Sequence, residues 1–466
     1  MAEFFHSTWQ FPLPLAYLVA ALIHAALLIH VPAVGALIFI WLERKVAGRI
    51  QDRLGPTRVG GKFGWLQTLA DGIKLIAKED ITPGDADKLL FRLAPYISFT
   101  ASFAAFLALP FANGWVAQYL NVAVFFIVAV LGLEVFGVIL AGYASGSKWS
   151  LFGGMREAAQ VVSYEVPLGL CIVVPVVLCG TMNLVTIAEM QRGWFTNWLI
   201  FHDPFTFLIF WVYFTCATAS VNRAPFDLAE AESELVAGFH TEYSGLRWSV
   251  FFMAEYGSMF VVSALGAILF FGGWNGPIPV FDVIGWSYHA GESWRLTGYL
   301  ANLAGCGNFI LKTVVGVTLM MWVRWTLPRL RIDQVITTCL KYCVPLAAVG
   351  FAGAVIWTAA GVPFLNDLPG LSNRRSAIRE NWVEEIERKA QVTESRGEEP
   401  QSVTARSEFS VFSFQFSVAD GGVRTHADDS GQRTTDNGQR TAPTQDEPVN
   451  DGIRSGAVGV NPGGPY

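Results

Sequence analysis

The chain has 466 residues, 52% of them hydrophobic and only 15% charged, with a net charge of −6. A soluble domain carries about a quarter charged residues, so this composition argues against a soluble enzyme, and the acidic balance gives no support for nucleic-acid binding. Six cysteines are too sparse for a disulfide framework.

A helix that crosses a bilayer needs about 20 mainly apolar residues. Eight stretches qualify: 15–42, 93–112, 118–143, 158–181, 205–222, 247–271, 306–325 and 340–361. They predict an all-α polytopic membrane protein with about eight transmembrane helices. The first stretch holds His24 and His30 and no charge until Glu43. It is too long for a signal peptide, and Glu43-Arg44-Lys45 reads as a stop at the surface. Between 43 and 92 the segment 66–78 is amphipathic: Leu66, Leu69, Ala70, Ile73, Ile76 and Ala77 share one helical face, and Gln67, Asp71, Lys74 and Lys78 the other. At about 13 residues it is too short to span, which predicts a helix lying in the interface.

Lys and Arg set the orientation. The segment 43–92 holds ten, and the third, fifth and seventh loops are also richer than the alternate ones. These loops are therefore expected on the cytoplasmic side, with both termini outside. After Pro369 the apolar pattern ends. Residues 1–365 are expected to form the membrane domain and 366–466 a polar, mostly disordered C-terminal extension, with a short helix conceivable over 374–394.

Charged residues inside membrane helices are costly, so each is a candidate site. Glu134, Glu165 and Glu255 each fall, by residue count from the expected helix ends, roughly 10–14 Å from the cytoplasmic boundary. That predicts three acids from three helices at one level, a cluster able to pass protons. The bland alternative is three separate acids. The fifth loop carries Asp227, Glu230, Glu232 and Glu234 close to Arg223. On a helix, Glu230 and Glu234 would share a face and Glu232 would point away. Such runs are often only a solvated surface, but this one is expected beside the buried acids, which favours a water-filled cavity.

Other residues carry less. His24 and His30 are six apart, which does not suit a metal pair on a helix. Cys339 with Cys343, and Cys171 with Cys179, read as small core residues. There is no CxxC set, no glycine-rich nucleotide loop after a strand and no haem-type histidine pair, so no flavin, iron–sulfur or haem site is expected in this chain. Lys312, within the seventh helix, either pairs with a carboxylate or snorkels outward.

Several stretches together resemble the H subunit of NADH:quinone oxidoreductase, respiratory complex I. They are Glu43-Arg44-Lys45 with Gln51 to Gly60, then Gln67 to Asp80, Ser163-Tyr164-Glu165-Val166, Asn222 to Asp227 continuing to Thr241-Glu242-Tyr243-Ser244-Gly245, Glu255-Tyr256, and Arg324 to Gln334. The resemblance covers nearly all of 1–361 and implies a bacterial inner-membrane subunit of a proton-pumping translocase, without a complete catalytic site of its own. Quinone would be the substrate, and the partners would be peripheral-arm quinone-site subunits, membrane-arm subunits and lipid, with no nucleic acid. Carried over, the chamber wall includes Arg44, Arg53, Arg223, Phe226 and Asp227. The acidic path runs from Asp227, Glu230, Glu232 and Glu242 to Glu165, Glu134 and Glu255. Family members usually end soon after the eighth helix, so residues 371–466 depart from the pattern. The membrane subunit of a related energy-converting hydrogenase is the nearest alternative. A secondary transporter is a weaker one, because only Pro167 and Pro175 break a helix clearly.

Overall fold

A computed structural model describes residues 12–278 and 296–360, all within one compact unit. The expectations for the tail, including the 374–394 helix, lie outside the described residues. Those residues are helical, with no strand among them. Eight long helices stand where eight apolar stretches were expected: α1 (Leu13–Ile50), α3 (Lys88–Ala104), α4 (Ala123–Ala144), α5 (Lys148–Cys179), α7 (Pro204–Ser220), α8 (Gly245–Phe271), α9 (Leu296–Thr326) and α10 (Ile332–Ala360). The interfacial segment forms α2 (Gln67–Ala77), and a short α6 (Leu184–Met190) follows α5. Among the described residues, six helices are long and apolar enough to cross a membrane. The chain is a polytopic α-helical membrane protein.

Helix ends follow local chemistry. Asp87 caps α3 by accepting from Leu89 N and Leu90 N at 3.1 and 3.3 Å. Asp203 and Thr206 form a capping box at the start of α7, where Pro204 takes the first helical position. Gly180 closes α5 in the left-handed region at φ 67°. Inside α10 a π-turn over Thr338–Cys343 absorbs one extra residue.

Helix α8 is the hub. It packs on α1, α3, α7 and α9, and its residues from Tyr256 to Phe270 are buried almost without break. The main core gathers Phe39, Phe106, Ile127, Ile172, Tyr213 and Phe260 around it. Helices α3 and α4 approach closely because Gly137 stands where a Cβ would lie 2.7 Å from Ser98 N. Small residues let backbones meet in this way, and close van der Waals packing drives helix association where the solvent is as apolar as the side chains.

Several helix boundaries differ from expectation, and two of these differences bear on the site. Helix α1 does not stop at Glu43-Arg44-Lys45 but runs on to Ile50. Glu43 is buried at 6% exposure, and it stays inside because two arginines neutralise it. Helix α5 starts at Lys148, ten residues before the expected start at 158. The polar and glycine-containing stretch Lys148–Glu157 reads as a loop, yet Gly153 and Gly154 are buried contacts there: Gly153 touches the backbone at Ala229 and Phe239, and Gly154 touches α4.

Lys312 does neither of the things considered for it. Its ammonium donates to the carbonyls of Phe271, Gly273 and Asn275 at 2.7, 2.9 and 2.5 Å, and lies 4.5 Å from the Trp198 ring. It closes the C-terminus of α8, where carbonyls lack helical partners and the helix dipole favours a cation. His30 bonds to the carbonyl of Ala26 at 2.6 Å.

Candidate functional site: a cavity and a buried charge line

Helix α2 lies with its polar side inward. Leu69, Ile73 and Ile76 are exposed, whereas Thr68 is buried and Asp71 is half-buried. That is the arrangement of an interfacial helix whose apolar face meets lipid. Between α2, α1 and α8 is a cavity of about 950 Å³, at the upper end of the usual range for ligand sites, about 300–1,000 Å³. Ala36, Ile40, Phe252 and Met253 give it an apolar stretch. Glu43, Arg44, Arg53, Asp71 and Arg324 give it a charged one. Arg44 pairs with Asp71 at 2.5 Å and so ties α1 to α2.

A line of alternating charges leads inward from this cavity. Arg324 Nη1 lies 2.7 Å from Glu43 Oε1. Arg223 Nη1 lies 3.2 Å from Glu43 Oε2, and Arg223 Nε lies 2.9 Å from Glu255 Oε1. The Tyr256 hydroxyl donates to Glu43, and its ring lies 4.4 Å from the Arg223 guanidinium. Arg223 is 2% exposed. Burial alone would lower its pKa, but Glu255, Tyr256 and Glu43 hold it well above the ordinary value. Two carboxylates share this one buried guanidinium, so charge pairing offsets its desolvation, while its Nε and Nη2 make no hydrogen bond among the described residues.

The line ends at a second cavity of about 30 Å³, lined by Glu134, Glu157, Glu230, His240 and Glu255 among others. Glu230 does not lie on a helix. Residues 222–231 form turns, and only Glu232–Leu235 makes a helical turn. Glu230 and Glu234 therefore share no face: Glu230 Oε1 meets His240 Nε2 at 2.6 Å, and Glu234 meets Arg156 at 2.5 Å. Burial raises the Glu230 pKa, but the His240 beside it, with Arg223 and Arg324, brings it below the usual carboxylate value. Burial pushes Asp227 the other way, up to about 6, with the Glu230 charge adding to burial and Arg329 and Arg324 opposing it. Of these two loop acids, Asp227 is therefore the more readily protonated.

The loop holds this shape through one backbone device. Gly238 sits at φ 56°, and a Cβ there would lie 1.7 Å from the carbonyl oxygen of Ala229.

Of the three membrane acids expected at one level, the structure brings Glu134 and Glu255 to one cavity. Glu165 is exposed and lines a different cavity of about 280 Å³. Because α5 starts earlier than expected, the acid it contributes to the shared cavity is Glu157, about two turns nearer the helix start. The two cavities both touch Val135 and Ser220, so they are neighbours. Glu134 accepts from the Ser258 hydroxyl, which also bonds to Ser102 at 3.0 Å.

Among the other expected residues, Arg44 and Arg53 line the 950 Å³ cavity. Phe226 is buried instead in a side cluster with Val135, Tyr164 and Val335. Asp227 pairs with Arg329 at 2.7 Å. Glu242 is half-buried just after the turn at Gly238–His240, and the Glu232 side chain lies outside the described residues. Sequence reasoning missed Glu43, Glu157, Arg324, His240 and Tyr256 as site residues. Glu43 had a signal in being charged at the end of an apolar stretch that lacks other charge.

A model of the NADH dehydrogenase family matches residues 23–355. The chain is 45% identical over 341 residues to the NADH-quinone oxidoreductase H subunit of Anaeromyxobacter dehalogenans, covering 73% of this chain and 82% of that protein. It is 44% identical over 349 residues to the H subunit of Chlorobium luteolum, covering 74% and 90%. It is 40% identical over 371 residues to that of Bacteroides fragilis, covering 78% and 98%. The chain belongs to the NADH dehydrogenase family, that of the H subunit of NADH-quinone oxidoreductase.

Proposed function

We propose that this chain forms the membrane wall of the quinone chamber of a proton-pumping NADH:quinone oxidoreductase and couples quinone reduction to proton movement. The observation that carries the reading is the 950 Å³ cavity, apolar in one part and charged in another, with the line Arg324–Glu43–Arg223–Glu255 leading from it to a buried acidic cavity.

Quinone has a long apolar tail and a small polar head. The apolar stretch of the cavity, beside the lipid-facing helix α2, suits the tail; Arg44 and Arg53 suit the head end. Arg223, paired with Glu43, stands behind the head end, and Phe226 and Asp227, in the same loop, pack and pair beyond the cavity wall. Electrons come from peripheral-arm partners, and quinone is this chain's substrate rather than a resident cofactor. Reduction to quinol takes two electrons and two protons, so it changes the charge balance beside Glu43 and Arg324. A change of charge next to an ion-paired line shifts the protonation of the next member. The acids Asp227, Glu230, Glu232 and Glu242, then Glu255, Glu134 and Glu165, pass that shift towards membrane-arm partners. The chain sits in the bacterial inner membrane with both termini outside. The energy-converting hydrogenase reading loses ground because the relatives above are all named as quinone enzymes.

The test is Glu134→Gln and Glu255→Gln in the native complex in inverted membrane vesicles. Expected is assembled complex whose proton translocation coupled to quinone reduction is lost. Pumping at the wild-type ratio in both variants would overturn the acidic path.

A further inference from the structure

Glu157 has no surface exposure. Its Oε1 accepts from Asn222 Nδ2 at 2.9 Å. Asn222 in turn accepts from Gln160 Nε2 at 3.0 Å, and the same amide donates to the carbonyl of Ala219 at 2.8 Å. One carboxyl oxygen is thus fixed by neutral amides. The other, Oε2, is buried and has no partner among the described residues.

An unsatisfied buried polar atom costs on the order of 1–3 kcal/mol, so native folds rarely keep one without water to meet it. Glu157 lines the 30 Å³ cavity, and a water needs about 10–15 Å³ of such space, so there is room for about two. Other polar side chains on that cavity include Ser98, Glu134, Asn222, Glu230, His240 and Glu255. The carboxylates close enough to act on Glu157 electrostatically are Glu230, Glu134 and Asp227.

We propose that Glu157 is a proton-exchanging residue, standing between the Glu230–His240 pair and Glu134. It gives its proton through water to the carboxylate of Glu134 and takes one back through water from the Glu230 side. Each transfer moves one proton from one oxygen to another, and no oxidant or further reactant is needed. The proposal rests on the acidic-path reading above and adds to it a residue from α5 that the path otherwise lacks at this level. If Glu157 served only to tie α5 to Asn222, glutamine would serve as well, because its carbonyl oxygen accepts the same bond.

The experiment compares Glu157→Gln, Glu157→Asp and Glu134→Gln in the whole complex in vesicles. It reads protons translocated per quinone reduced, normalised to assembled complex, and the carboxyl signal in infrared difference spectra on quinone reduction. Expected is loss of translocation and of one carboxyl signal in Glu157→Gln, with partial recovery of both in Glu157→Asp. Wild-type translocation in Glu157→Gln with loss in Glu134→Gln would overturn the role of Glu157 and leave the path standing. Wild-type translocation in both would overturn the path itself. Equal losses in Glu157→Gln and Glu157→Asp, with the carboxyl signal unchanged from the wild type, would mean that Glu157 exchanges no proton on quinone reduction and would also overturn the proposal.

Discussion

Arg223 Nε stands 2.9 Å from Glu255 Oε1, and the same guanidinium reaches Glu43 on another helix at 3.2 Å. One cation from a loop therefore holds α1 to α8 at the inner end of the large cavity. Arg223→Met leaves buried Glu255 without its cation and Glu43 with Arg324 alone. Breaking a buried pair by removing one partner costs about 3–5 kcal/mol, so this variant is expected to assemble poorly. Arg223→Lys, which keeps the charge but loses the fork, should assemble better. The thermal stability of the solubilised complex checks both.

Asp227 is raised towards neutral pH by burial. Its folded value lies above its ordinary one, so the fold favours its protonated form. That contribution is complete below about 4 and is lost as pH rises through about 6. Asp227→Asn fixes the neutral form. The expected outcome is that the slope of melting temperature against pH seen in the wild type between these values flattens in the variant. The same slope in both would count against the raised value.

Arg44 is 44% exposed on its side-chain surface, and Asp71 24%. A pair of this kind stabilises by about 0–1 kcal/mol, so Asp71→Asn should leave assembly unchanged. It also ties α2 to α1 beside the large cavity. Loosening it is expected to raise KM for quinone several-fold with kcat little changed, which steady-state kinetics would show.

Ile76 is 69% exposed on the lipid side of α2 and touches the large cavity. Ile76→Glu places a charge where an apolar tail would pass. KM for a long-tailed quinone is expected to rise more than KM for a short-tailed analogue. Equal effects on the two would remove α2 from the route.

Gly238→Ala forces a Cβ to within 1.7 Å of the Ala229 oxygen at a positive φ. Something must shift, and the nearest atoms are backbone. The acidic loop should then fail to hold Glu230 against His240. Loss of assembled complex, read by native gel, is expected, whereas Gly61→Ala, with nothing within 4 Å, should cost only its own backbone strain.

Apolar length located the eight helices, because in lipid every backbone polar group must be satisfied within its own segment, and the 3.6-residue alternation of apolar and polar side chains located α2. The acids Glu134 and Glu255 were legible for the same reason: a charge in an apolar run stands out. Helix ends were less legible. The start of α5 hid behind glycines whose value is close packing, a property of the neighbour and not of the segment. That hid Glu157 and drew Glu165 into its place.

Only the tertiary structure decided which charges meet. Glu43 read as a surface stop because its sequence neighbours are Arg44 and Lys45, yet its neutralising partners are Arg223 and Arg324, far along the chain. A local pattern reports how much a segment prefers lipid to water. Whether a buried charge is tolerated depends on a counter-charge within a few ångströms, and that distance is set by how the helices pack.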